Sequence, residues 1–222
     1  MFYLIRHGKT DYTQRNTKIY QGFGANLAKL SELGERQILQ SARDPRLLGA
    51  DLILSSPYTR ALQTAAILSR ALDAPITVET DLHEWLANHH YCYEPDETAE
   101  AAYRAYVAND GRNPPGEAPL WESAEMVRRR ALGVLERYAC YPCVVVACHG
   151  MMIQAVTGGA RPACGEIVEF ALLTRYLRWE ACSASKKHFR PAAPSRRIAA
   201  SLFDSLPGAS AAMRRRPRGR SP

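Results

Sequence analysis

The stretch Phe2–Thr10, FYLIRHGKT, opens the chain and decides how the rest is organised. Its first four residues form a short apolar run that favours a strand, and Gly8 follows closely, a pattern typical of a buried strand that ends in a tight turn. Open α/β sheets bind ligands just outside the carboxyl ends of their strands, and the pattern places His7 there. Arg6 adds a forked donor suited to phosphate or carboxylate. Taken alone, these residues also fit an ordinary surface turn, because short motifs often mislead.

The same design recurs late in the chain. An apolar run at 143–147 leads into a His-Gly pair at His149, so a second buried strand ends in a second imidazole. A helix is predicted to open at Ser55–Pro57, with a serine cap, a proline in the first turn and Arg60 close behind. If the two strands are neighbours, both imidazoles, Arg6 and Arg60 meet at one end of the sheet, beside a helix N-terminus. This compact positive pocket suits a phosphate dianion.

Chemistry at such a pocket needs a nucleophile and a proton donor. A neutral imidazole can attack phosphorus, so His7 is the candidate nucleophile. Glu84 follows a third predicted strand and is the candidate proton donor to the leaving oxygen. Competing motifs fail at residues that they require: Ala87 stands where a zinc protease needs its second histidine, and Tyr3 stands where a P-loop needs its first glycine.

Strand and helix patterns alternate along the chain. Strands are predicted near 51–55, 75–78, 143–147 and 166–170, and helices near 31–48, 57–72, 96–108, 122–138 and 151–157. This order predicts an α/β fold, a three-layer sandwich with a mostly parallel central sheet and helices on both faces. The irregular aromatic segment 85–121 interrupts the alternation, and we expect it to be a cap that governs substrate choice.

The basic character of the chain belongs to its C-terminal end. The net charge is +7, and residues 186–222 alone hold ten Lys or Arg against one acid, Asp204. We place a catalytic domain at 1–172 and a basic tail rich in Pro, Ala and Ser at 173–222, which we expect to be poorly ordered. The tail fits a nucleic-acid or anionic-membrane arm, or a solvated extension without a partner. A solvated extension is the favoured interpretation, because no aromatic residues alternate with the basic ones in the tail.

The lengths of the apolar runs and the spacing of the cysteines indicate where in the cell the protein resides. No apolar run reaches the ~18 residues of a membrane span, and Arg6 and His7 interrupt the N-terminal run too early for a signal peptide. We therefore expect a cytoplasmic protein without a membrane partner. Cys140 and Cys143 have metal or redox spacing, but no second pair matches them, so reduced thiols are the favoured reading.

Four stretches together resemble the histidine phosphatase superfamily, the phosphoglycerate mutase-like proteins. They are 4–10 (LIRHGKT), 55–65 (SSPYTRALQTA), 82–84 (LHE) and 148–150 (CHG), with weaker matches at 21–22, at 30–34 and at Glu122-Ser123 with Arg130. The order and spacing of these stretches cover about residues 1–170.

The resemblance implies a catalytic role for each strongly matched residue. His7 would become phosphorylated, while Arg6, Arg60 and His149 would neutralise the phosphoryl group in its transition state. Glu84 would protonate the leaving group and then activate water.

The resemblance also implies what the protein binds. Thr13, Gln21 and Gly22 would contact the substrate, although relatives often carry Asn where Thr13 stands. A small phosphorylated metabolite is implied as substrate, with no metal and no organic cofactor. We expect no nucleic-acid partner, except through the basic tail.

The sequence as a whole thus predicts a metal-independent phosphomonoester hydrolase that works through a phosphohistidine. One alternative is phosphoglycerate mutase-type phosphoryl transfer. It is less favoured because Glu84 is followed by 85–87 (WLA) and not by the Arg-His-Tyr-Gly common in cofactor-dependent mutases. The other alternative is a non-catalytic module that binds a phosphorylated ligand or nucleic acid.

Overall fold

The computed structural model describes residues 1–15 and 24–172. The strands are β1 (Phe2–Arg6), β2 (Leu52–Ser55), β3 (Ile76–Val78), β4 (Val144–Cys148) and β5 (Ile167–Phe170). The helices are α1 (Gly24–Leu27), α2 (Glu32–Ser41), α3 (Thr59–Leu72), α4 (Asp96–Ala108), α5 (Ala124–Arg137) and α6 (Gly150–Thr157). Single 3₁₀ turns lie at Pro45–Leu47 and Thr80–Leu82.

The five strands form one sheet in the order β3-β2-β4-β1-β5. All neighbours are parallel except β1 and β5, which are antiparallel. In the register, Arg6 at the end of β1 faces Cys148 at the end of β4, and Ser55 at the end of β2 faces Ala147. The carboxyl ends of these three strands therefore lie side by side. The predicted three-layer α/β fold with a mostly parallel sheet is confirmed.

The alternation of side chains along each strand builds two apolar layers. One face of the sheet packs against α5 and α6, and the other packs against α2 and α3. The first layer includes Leu4, Leu54, Val146, Val134 and Ile153. The second includes Ile5, Ile53, Val145, Ile38 and Leu68. Because β4 is buried at every position, its continuous apolar run contributes side chains to both apolar layers.

Most predicted elements are confirmed, and two local predictions are wrong. The predicted helix at 31–48 ends at Ser41. The helix expected to open at Ser55–Pro57 begins at Thr59, and its N-cap residue, Tyr58, makes no side-chain capping bond. The serine-cap prediction is wrong because the buried Ser56 lies two residues before the N-cap, where its hydroxyl accepts from the N–H of Tyr58 and contacts Nε2 of His149.

The segment 85–121 contributes an aromatic cluster beside α6. Tyr106 and Trp121 are buried, and Met151 of α6 packs with them. The ring of Tyr106 lies 5.6 Å from that of Trp85 and 5.7 Å from that of Trp121. The expected role of this segment as a cap that governs substrate choice stays a prediction.

Two further sequence predictions concern the basic tail and membrane-spanning segments. The basic tail at 173–222 lies outside the described residues. Within residues 1–15 and 24–172, no helix is both long enough and apolar enough to cross a membrane.

Candidate active site

His7 directly follows β1 and lies at the carboxyl end of the sheet. Its main-chain N–H donates to the carbonyl of Cys148 on the neighbouring strand at 3.0 Å. In the side chain, Nδ1 donates to the carbonyl of Gly8 at 2.8 Å, and Nε of Arg60 donates to Nε2 at 3.2 Å. A carbonyl can only accept and a guanidinium can only donate. The two contacts therefore assign the ring proton to Nδ1 and a lone pair to Nε2.

Both site histidines are uncharged at neutral pH. Burial, reinforced by the positive charge of Arg60, lowers the pKa of His7 to about 3. The same two causes, burial first, hold the pKa of His149 well below its ordinary value. The Nε2 lone pair of His7 is therefore not blocked by a proton.

Two guanidinium groups lie beside His7. Arg60, in the first turn of α3, is 5% exposed and donates from Nη1 to the carbonyl of Ala25 at 2.6 Å. Arg6, the last residue of β1, donates from Nη1 to the carbonyl of Pro162 at 2.7 Å. Its buried Nε has no partner among the described residues. Since an unpaired buried donor is costly, this N–H is available to a bound oxygen.

His149 is fully buried at the end of β4, with its ring centroid 5.2 Å from that of His7. Its Nε2 lies 2.7 Å from Oγ of Ser56, which itself accepts from the N–H of Tyr58 at 3.3 Å. The Ser56 hydroxyl proton can therefore point to Nε2, which leaves the ring proton on Nδ1. Within the described part of the chain, Nδ1 finds no hydrogen-bond partner. The Nδ1–H group of His149 is thus a second unused donor at the site, besides the Nε–H group of Arg6.

The carboxylate of Glu84 occupies the N-terminus of α6. Its oxygens accept from the N–H groups of Trp85 at 3.0 Å, Met151 at 3.4 Å and Met152 at 3.2 Å. The N-cap residue of α6, His149, makes no side-chain capping bond, so a carboxylate from another segment serves the free amides of the first turn. This places the Glu84 carboxylate at the start of α6, the helix that follows His149.

A buried ion pair holds the backbone that carries Glu84. Arg130 on α5 binds the carboxylate of Glu122 through two hydrogen bonds, of 2.8 and 2.9 Å. The same guanidinium donates to the carbonyls of Asp81, His83 and Glu84. The Arg130 and Glu122 side chains are only 12% and 5% exposed. This fork-to-fork pair therefore fixes the path of the chain up to the proton-donor candidate.

Two glycines allow the loop after β1 to approach α2 closely. A Cβ added to Gly8 would collide with the backbone of Gly34, and one added to Gly34 would collide with the backbone of Lys9. The contact presses the first turn of α2 against the residue next to His7. Any side chain at either position would therefore displace the nucleophile candidate or the helix.

Of the remaining predicted site residues, Thr13 alone lies in the described part of the chain, and its hydrogen bonds do not join it to this cluster. Thr13 is exposed, and both its amide and its hydroxyl bond to the carboxylate of Asp11, at 2.9 and 2.7 Å. Gln21 and Gly22 lie outside the described residues. Their suggested contacts with substrate stay predictions.

Sequence reasoning missed two contributors, Ser56 as the partner of His149 and Arg161 as a neighbour of Glu84. Nη2 of Arg161 lies 4.0 Å from Oε2 of Glu84. Among the described residues, no group of three His, Cys, Asp or Glu side chains is arranged to hold a metal ion.

Comparison with known proteins gives the family of this chain. Residues 2–164 match the model of the histidine phosphatase superfamily, branch 1. The chain belongs to this superfamily. It is an enzyme of a group whose named relatives include phosphatases and phosphoglycerate mutases.

Individual relatives of this chain carry both kinds of name. It is 28% identical over 200 residues to the "Probable phosphoglycerate mutase GpmB" of Cronobacter sakazakii, covering 85% of this chain and 84% of that protein. It is 27% identical over 156 residues to the "Uncharacterized phosphatase PhoE" of Bacillus subtilis, covering 69% and 73%. Among solved structures, it resembles the mycobacterial glucosyl-3-phosphoglycerate phosphatase Rv2419c in complex with VO3. That match has 27% identity and a TM-score of 0.51, and covers 71% of this chain and 78% of the other.

Proposed function

We propose that this protein is a metal-independent phosphomonoester hydrolase that works through a phosphohistidine on His7. The observation that carries the proposal is the state of the His7 ring. Its proton is held on Nδ1 by the carbonyl of Gly8, and its Nε2 lone pair faces the guanidinium of Arg60. An uncharged ring whose Nε2 carries no proton of its own, next to a fixed positive charge, is suited to attack on phosphorus once the substrate takes over the Arg60 hydrogen bond.

In the first step, Nε2 of His7 would form a bond to phosphorus while the bond from phosphorus to the ester oxygen breaks. The transition state spreads negative charge over three equatorial oxygens. Arg60, the unpaired Nε of Arg6 and the unpaired Nδ1 of His149 support this step, because each offers an N–H group near the His7 ring. Donors that are already in place need little reorganisation when the charge develops.

Glu84 would move the protons in both steps. It would give its proton to the leaving oxygen as the alcohol departs. Water would then attack phosphorus and give a proton to Glu84, and the bond from His7 to phosphorus would break to release phosphate. Support comes from the position of Glu84, which lies at the start of α6, the helix that follows His149. A small phosphorylated metabolite is the proposed substrate class.

The test is the hydrolysis of 4-nitrophenyl phosphate in the presence of EDTA, with wild type compared to His7→Ala. We expect turnover that survives EDTA and is lost in His7→Ala. Arg70→Ala is the control, because Arg70 is exposed in the last turn of α3, away from the end of the helix that carries Arg60. Turnover that persists in a folded His7→Ala protein, checked by circular dichroism, would exclude His7 as the nucleophile.

A second measurement traps the intermediate. Rapid quenching of wild type during turnover should yield a phosphoenzyme that is stable to alkali and labile to acid, as expected of an N–P bond. Its absence in wild type as well as in His7→Ala would argue against a covalent step. Recovery of the phosphoryl group on a second substrate, with none released as phosphate, would favour the mutase alternative.

A further inference from the structure

Arg161 is a cation at the site to which neither the sequence motifs nor the proposed chemistry gives a role. It lies in the connection between α6 and β5. Arg6 anchors this connection at three points. Its Nη1 donates to the carbonyl of Pro162, its main-chain N–H donates to the carbonyl of Glu166 at 3.3 Å, and its own carbonyl accepts from the N–H of Gly165 at 2.9 Å. The connection is thereby fixed to the end of β1, and Arg161 is held next to the nucleophile candidate.

The side chain of Arg161 fills the space that Gly150 leaves open at the start of α6. A Cβ on Gly150 would lie 2.7 Å from Nε of Arg161 and 3.2 Å from Nε of Arg6. The two guanidinium groups therefore approach the same point. Beyond it, Nη2 of Arg161 reaches to within 4.0 Å of Oε2 of Glu84. The charge of Arg161 also contributes, after burial and Arg60, to the lowered pKa of His7.

The side chain of Arg161 is more exposed to solvent than that of Arg60. Arg60 is 5% exposed and lies against His7, whereas the side chain of Arg161 is 41% exposed. The deeper pair, Arg6 and Arg60, carries two positive charges, which match a phosphate dianion. Arg161 lies farther out, beside the carboxylate that would protonate the leaving oxygen.

The ion pair of Arg161 with Glu84 is absent while Glu84 holds the proton that the proposed first step requires. Within the described part of the chain, Glu84 is the one carboxylate at ion-pair distance from Arg161. Glu84 must carry a proton, and is therefore uncharged, before it can protonate the leaving oxygen, so Arg161 lacks an anionic partner in the complex with substrate until the proton is transferred. A half-exposed guanidinium then faces the leaving group with an unbalanced charge and a fork of free donors.

We propose that Arg161 determines substrate specificity by binding a negatively charged group, a carboxylate or a second phosphoryl group, on the alcohol part of the substrate. This inference rests on the proposed function. Since Arg161 reaches to within 4.0 Å of Glu84, and Glu84 must touch the ester oxygen, the anionic group lies a few bonds from that oxygen.

The test compares two isosteric aryl esters, 3-carboxyphenyl phosphate and 3-carbamoylphenyl phosphate, which differ in one negative charge. Their dissociation constants are measured by calorimetry in the His7→Ala background, so that neither compound is consumed, and kcat/KM is measured with His7 intact. We expect the protein with Arg161 to prefer the acid by about tenfold. Arg161→Gln should reduce the ratio to about one, and Arg161→Glu should reverse it.

The matched control is Arg129→Gln, because Arg129 is an exposed arginine that also pairs loosely with a glutamate, Glu125, at 3.9 Å. It should leave the acid-to-amide ratio as in wild type. Equal binding of the two esters by the protein with Arg161 would overturn the inference. An equal loss on both esters in Arg161→Gln would do the same, since it would assign Arg161 to the phosphoryl group or to Glu84. Failure of the proposed function would show separately, as turnover independent of His7.

Discussion

The Nε atom of Arg60 lies 3.2 Å from Nε2 of His7 and donates a hydrogen bond to it. In the free protein, the lone pair that would attack phosphorus is therefore covered by the guanidinium that would stabilise the product of the attack. A bound phosphoryl group must take over this N–H before the ring can react. The contact thus holds the nucleophile candidate neutral and oriented until an anion arrives.

Arg60→Lys should lower kcat by about 10²–10³, the loss typical of removing one donor to developing charge. Lysine keeps the positive charge but cannot reach both His7 and the carbonyl of Ala25 with a planar fork. The measurement is kcat on 4-nitrophenyl phosphate, with urea unfolding in parallel. Arg70→Lys, at an exposed position in the last turn of the same helix, is the control. A kcat for Arg60→Lys within threefold of wild type would contradict this role.

Glu84→Gln should harm poor leaving groups far more than good ones. The amide keeps the shape of the side chain but cannot deliver a proton. We expect a loss of about 10²–10⁴ on alkyl phosphates, and a much smaller loss on 4-nitrophenyl phosphate, whose leaving group needs no protonation. The readout is kcat/KM plotted against the acidity of the leaving alcohol. Equal losses across the series would mean that Glu84 is not the proton donor.

Arg130→Met should lower the free energy of unfolding by about 3–5 kcal/mol, because it leaves the buried carboxylate of Glu122 without its partner. Its neighbour Arg129 pairs with Glu125 at the surface, where the two side chains are 80% and 68% exposed. Arg129→Met should therefore cost less than about 1 kcal/mol. Urea unfolding measures both. Similar values for the two variants would show that the Glu122 pair does not stabilise the fold.

The stability of the protein should fall as the pH drops below about 6.5. Burial lowers the pKa of His7, His83 and His149. Below 6.5 the unfolded chain takes up protons at these residues, while the folded protein does not until a lower pH. Each histidine thus contributes a slope of up to about 1.4 kcal/mol per pH unit. Urea unfolding between pH 4.5 and 7 should show this slope, and His83→Gln should reduce it; an unchanged slope in that variant would refute the explanation.

Gly34→Ala should destabilise the protein by about 1–3 kcal/mol and reduce turnover, since the added Cβ collides with the backbone of Lys9. Gly133→Ala is the matched control on α5, where a Cβ meets nothing within 4 Å. Alanine in a helix is favoured over glycine, so this variant should be neutral or up to about 1 kcal/mol more stable. Thermal unfolding and kcat on both variants check the contrast. Equal effects would mean that the close approach to Lys9 is not what requires glycine at position 34.

The sheet and the histidine cluster could be predicted because their information is local. Each strand is a contiguous apolar run, and His7 and His149 each follow one directly. Because β1 and β4 are parallel neighbours, their carboxyl ends, and the histidines that follow them, lie together.

What could not be predicted depends on contacts between distant segments. Arg161 stands in a stretch with no periodic pattern, and only the pairing of β5 with β1 brings it to Glu84. Ser56 has the sequence of a helix cap, yet the buried end of β2 gives its hydroxyl to His149. Local propensity is overridden in such places by the partner that the fold supplies.

The position of β1 between β4 and β5 has a consequence for biosynthesis. β1 is synthesised before either of its neighbours, and it pairs with Val144–Cys148 on one side and with Ile167–Phe170 on the other. Its apolar side chains therefore have no neighbouring strand to pack beside until β4 has been synthesised. Such long-range pairing slows folding and leaves the nascent strand exposed to aggregation. A nascent chain stalled before β4 would carry His7 but could not assemble the site, so activity should arise only when synthesis of the sheet is complete.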